Sequence, residues 1–68
     1  MNQLIKDALY KLKYARLEAV SMRIFHLQPR WRKNEVADAD YKELMTIERE
    51  LEQLIERLIS VWIRIEGE

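Results

Sequence analysis

Leu44, Ile47, Leu51, Leu54, Leu58, Val61 and Ile65 follow one another at alternating steps of three and four residues. That spacing holds a narrow apolar line on one side of an α-helix and suits no strand. It predicts a long, straight helix that lies along another helix, because the line is too apolar to remain wet. Ile55, Ile59 and Trp62 widen the line on one flank. That width suits the wall of a bundle better than a strict two-stranded coiled coil. Lys42, Thr46, Arg49, Gln53, Glu56, Ser60 and Arg64 fall on the other side and read as a solvated face.

Helix breakers are nearly absent. Pro29 is the only proline, Gly67 the only glycine, and there is no cysteine. The chain therefore reads as all-α, an antiparallel two-helix hairpin with one break. The first helix is expected over about 2–27, the connector over about 28–37 and the second helix over about 38–66. Pro29 disfavours helical geometry at Gln28, which sets the first boundary. Asn34 offers one cap for the second helix. Asp40-Tyr41-Lys42-Glu43 offers another with capping-box spacing, and Gly67 stops the helix.

The first helix carries two apolar sides. Ala8, Ala15, Ala19 and His26 share one, flanked by Leu4, Ile5, Leu12 and Met22. Three alanines allow close approach, so this side is the expected neighbour of the second helix. Tyr10, Tyr14, Leu17, Val20, Ile24 and Leu27 form the other side. A helix with two apolar sides touches two things. This second side, with Trp62, is the expected partner interface.

A 68-residue chain that is 49% hydrophobic and has no disulfide carries more apolar surface than one helix–helix contact can cover. The hairpin is therefore expected to complete a four-helix bundle, either as a homodimer or by docking on a larger protein. Charge supports antiparallel pairing of the halves. Residues 1–36 carry eight cations against three carboxylates, net +5, and residues 37–68 carry four against nine, net −5.

The ingredients of catalysis are missing. His26 is the only histidine, so the ligand sets of zinc and di-metal sites cannot be assembled, and no metal or other cofactor is expected. Glu48, Glu52 and Glu56 share a helix side and read as solvated charges. Ser21 and Ser60 have no base beside them, and no glycine-rich loop exists to hold a phosphate. No small-molecule substrate is implied. The expectation is a non-enzymatic interaction module, a small accessory or scaffold subunit that self-associates or docks on a larger partner, for example a nucleic-acid-processing one.

One cluster keeps direct nucleic-acid binding as the alternative. Arg30-Trp31-Arg32-Lys33 places three cations around an indole, a set able to hold phosphates and stack on a base. Arg16 and Arg23 extend the basic surface along the first helix. The competing expectation is that Trp31 folds back on the end of the helix pair. No stretch of 18 apolar residues is present, so no membrane span is expected, and a cytoplasmic location is the default reading. The layout resembles the small dimeric helical hairpins, the RNA-binding protein Rop among them. That resemblance implies a dimer and keeps RNA in view, but it rests on layout alone and carries over no functional residue.

Overall fold

The computed structural model describes residues 2–67. Helix α1 spans Asn2–Met22, a π-helical turn spans Arg23–Leu27, α2 spans Gln28–Arg32, and α3 spans Asp38–Glu66. The junctions at Met22 (φ −59°, ψ −46°) and Gln28 (φ −60°, ψ −43°) are themselves helical, so α1, the π turn and α2 form one continuous rod. The rod and α3 run antiparallel, as ion pairs Arg16–Glu52 and Arg23–Glu48 record. The described residues are all helix and connector, and the hairpin measures 53 × 17 × 10 Å, two helices wide and one thick.

The first helix does not stop before Pro29; it continues to Arg32. Proline lacks an N–H and its ring crowds the carbonyl four residues back, which ordinarily breaks a helix. Here the preceding turn is widened, and the Gln28 amide donates to the Arg23 carbonyl five residues back. Pro29 sits in the first turn of the resumed helix, where its missing donor is least costly. The wide turn also corrects phase. Successive four-residue steps drift round an α-helix, yet Arg23 and Trp31 both reach Tyr41 of α3.

The connector shortens accordingly to 33–37. Asn34 ends the rod instead of capping α3. It takes a left-handed conformation (φ 61°), its amide donates to Trp31 O at 3.0 Å, and the Glu35 amide donates to Arg30 O at 2.8 Å. This pair of bonds is the Schellman termination. Helix α3 begins at Asp38, two residues ahead of the expected cap at Asp40. Its N-cap is Ala37 (φ −61°, ψ 139°), which makes no side-chain cap bond. Asp38 and Asp40 in the first turn still complement the positive end of the helix. Gly67 follows the last turn in right-handed geometry, its amide bonded to Ile63 O.

The contact between the helices is rotated round each from the line the apolar spacing indicates, and overlaps it in part. On α3 the line turned toward the rod is Tyr41, Leu44, Glu48, Leu51, Ile55, Leu58 and Trp62, again at steps of three and four. Only Tyr41, Glu48 and Ile55 are buried, at 4%, 9% and 5% exposure. Leu44, Leu51 and Leu58 belong to both lines. Ile47, Leu54, Val61 and Ile65, the rest of the expected contact, remain 39%, 44%, 38% and 43% exposed. On the rod Ile5, Leu12 and Ala19 of the expected side are half-buried, with Leu9 and Arg16 beside them, whereas Ala8, Ala15 and His26 are exposed. The reason is the pair Arg23–Glu48 and the stack Trp31–Tyr41, which turn α3 toward its polar and aromatic side.

Candidate interaction surfaces

A polar and aromatic brace closes the looped end of the hairpin. Arg23, delivered by the π turn, donates from Nε and Nη2 to the two carboxylate oxygens of Glu48 at 2.5 and 3.0 Å. Its Nη1 donates to the Tyr41 hydroxyl at 3.0 Å. The bidentate geometry is the strongest arrangement an arginine and a carboxylate can adopt. Hydrogen bonding to Glu48 first, and to Tyr41 second, raises the Arg23 pKa above the ordinary arginine value. Glu48 is thus a partnered core residue, not the solvated charge expected of it.

The Tyr41 ring lies flat against Trp31, with centroids 4.3 Å apart and planes 4° from parallel. Trp31 Nε1 donates to Asp38 Oδ1 at 3.0 Å, and Asp38 also meets Lys42 Nζ at 2.9 Å. Lys42 first, and Trp31 second, hold the Asp38 carboxyl below its usual pKa. Each side chain in this chain of contacts is bound to another member. That is how a brace is built.

The basic residues divide. Arg23 is turned inward. Arg16 Nε lies 2.6 Å from Glu52 Oε2, without the alignment of a hydrogen bond. Both cations therefore serve α3 acids inside the chain. Arg30 sits 3.6 Å from Glu35 and is exposed, as are Arg32 and Lys33. The Trp31 indole has one face occupied by Tyr41, so it folds back on the helix pair and is not displayed with its neighbouring cations.

The expected partner residues also divide. Tyr10 and Tyr14 stack on each other at 6.4 Å and are 70% and 53% exposed, and Leu17 is 59% exposed. Phe25 stands out at 71% exposed. Ile24 is less exposed, at 39%, and Val20, Leu27 and Trp62 are half-buried. Trp62 stands under the ammonium of Lys6 at 5.9 Å and donates to Glu66.

A second apolar surface covers one broad side of the hairpin. A shallow groove there is lined by Leu12 of α1 and by Leu54, Arg57, Leu58 and Val61 of α3. The side opposite carries Lys13, Leu17 and Glu52, and further along Lys6 and Ile63. Ala8 and Ala15 fall on the Leu12 side by helical phase and extend the groove side. The sequence signal for the brace was a carboxylate, Glu48, within a second line of three- and four-residue steps. Setting charged residues aside hid it.

No helix among the described residues is long and apolar enough to cross a membrane. No family model, curated protein or solved structure matches the chain.

Proposed function

We propose that this chain is a non-enzymatic interaction module that works as a self-associated helical hairpin, a small scaffold or accessory subunit. One observation carries the reading. Among the described residues only Tyr41 and Ile55 are buried apolar side chains, while thirteen large apolar side chains are more than a third exposed. Exposed apolar surface on that scale marks an interaction site. The polar brace fits the same reading, since its members are consumed in holding the two helices together.

Sedimentation velocity and the concentration dependence of thermal unfolding test the proposal. A mass of two chains or more is expected, with a melting temperature that rises with protein concentration. A stably helical monomer over the micromolar range would overturn it. Direct nucleic-acid binding ranks second, on the exposed Arg30, Arg32 and Lys33. It requires binding to RNA or DNA that weakens steeply with salt and falls when these three are neutralised.

A further inference from the structure

We infer that a second copy of this chain covers the Leu54 side of the hairpin in an antiparallel arrangement. Its twofold axis would pass beside Ala15 and Leu54. This rests on the self-association reading and specifies its surface and register.

Area argues for the size of the occupant. A compact protein of 8.3 kDa exposes about 4,600 Å², whereas this hairpin exposes 5499 Å². The excess of roughly 900 Å² per chain is close to the ~800 Å² each partner contributes to a standard interface. The exposed apolar line Ile47, Leu54, Val61 and the neighbouring Ala8, Ala15 and Met22 supply a contiguous surface on which to bury it.

Charge argues for the identity of the occupant and for the direction. Glu43, Glu50, Arg57 and Arg64 recur at seven-residue steps along the outer edge of the Ile47–Leu54–Val61 line. Among the described residues none of the four forms an ion pair within the chain. Laid antiparallel on a second α3, each Glu43 meets an Arg64 and each Glu50 meets an Arg57. The midpoint of this pattern falls between Gln53 and Leu54. Leu54 then packs on its own copy, and Ile47 packs on Val61. A parallel alignment would set like charges against each other along the whole edge.

The first helix repeats the logic independently. Lys11 and Glu18 edge the Ala8–Ala15–Met22 line, and antiparallel self-pairing joins Lys11 to Glu18, Ala15 to Ala15 and Ala8 to Met22. The midpoint here falls between Tyr14 and Ala15. The ion pair Arg16–Glu52 fixes the internal register, and by it the two midpoints stand at the same height in the hairpin. One twofold axis therefore satisfies both helices. The alternative twofold stacking, with each first helix over the partner's α3, sets Lys11 against Arg57 and Glu18 against Glu50, and loses both charge matches.

The full chain contains no cysteine, so single cysteines report the geometry directly. Leu54→Cys and Ala15→Cys are expected to form disulfide-linked dimers under mild oxidation, because each lies beside its own copy. Arg49→Cys, on the solvated side, is expected not to. Glu50→Arg alone should weaken the dimer on the order of tenfold, by replacing two attractions with two repulsions. Glu50→Arg with Arg57→Glu should restore it. Circular dichroism at matched concentration checks that helicity is retained; the cysteine variants carry the test if a charge variant does not fold. A monomeric wild type overturns both this geometry and the self-association reading. A dimer in which neither cysteine cross-links, or in which the double swap fails to restore a dimer the single swap weakens, overturns the geometry alone.

Discussion

Arg23 and Glu48 face each other across the hairpin through two parallel hydrogen bonds, with side chains only 16% and 11% exposed. Each is the other's main compensation for leaving water. Deleting one partner leaves the other charged and desolvated, whereas deleting both removes the penalty along with the attraction. Glu48→Ala or Arg23→Ala is therefore expected to cost about 2–4 kcal/mol. The double replacement Arg23→Leu with Glu48→Leu should be much less costly than the sum. Urea unfolding at one fixed protein concentration gives all three values. An additive double variant would contradict a coupled pair.

The Trp31–Tyr41 stack predicts a second loss. Trp31→Ala removes the stacked ring and the donor to Asp38, and is expected to cost about 2–3 kcal/mol of stability. Tyr41→Phe keeps the ring and removes only the hydroxyl that accepts from Arg23 Nη1, so about 1 kcal/mol is expected. Near-ultraviolet circular dichroism should lose its signal with Trp31→Ala and keep it with Tyr41→Phe.

The pH dependence has a defined sign. The Asp38 carboxyl is held below its usual pKa by Lys42 and Trp31 in the fold. Its contribution to stability is therefore present above the ordinary carboxylate pKa near 4 and is lost as pH falls through the lower folded value. Asp38→Asn should lower the melting temperature at pH 6 and converge on the wild type at pH 2. Arg23 is shifted upward, beyond the arginine range, so its contribution is constant through the neutral region. A difference between Asp38→Asn and wild type that grows on acidification would contradict this assignment.

Asn34 is the one non-glycine residue with a positive φ among those described. Asparagine tolerates that conformation better than a residue with a plain Cβ, and glycine better still. Asn34→Ala is expected to cost about 1 kcal/mol, and Asn34→Gly to be near neutral. Thermal melts of the two variants at equal concentration decide it.

The helical class and the hairpin were legible because period and breakers are local properties. The side of each helix that meets the other was not. Leu44, Leu51 and Leu58 belong to two overlapping lines, and periodicity alone cannot say whether Ile47, Leu54 and Val61 or Tyr41, Glu48 and Ile55 complete the contact. The deciding energy is the pairing of Glu48 with Arg23, 25 residues away, which no local pattern contains. Pro29 misled for a related reason. A proline is a breaker only where the preceding turn stays α-helical, and here a π turn absorbs it.

The outward aromatic edge provides the last discrimination. Tyr10 and Tyr14 are 70% and 53% exposed and by helical phase lie away from the Leu12–Ala15 side of the first helix. If a second copy sits on the groove side, these rings are spectators of self-association. Tyr10→Lys and Tyr14→Lys should then leave the sedimentation coefficient and the dimer dissociation constant unchanged within about twofold, since surface substitutions away from a contact cost little. Val61→Glu, on the groove side and 38% exposed, should shift the same protein toward monomer. The opposite outcome, with the aromatic variants dissociating the dimer and Val61→Glu leaving it intact, would place the partner on the Tyr10–Tyr14–Leu17 side of the first helix.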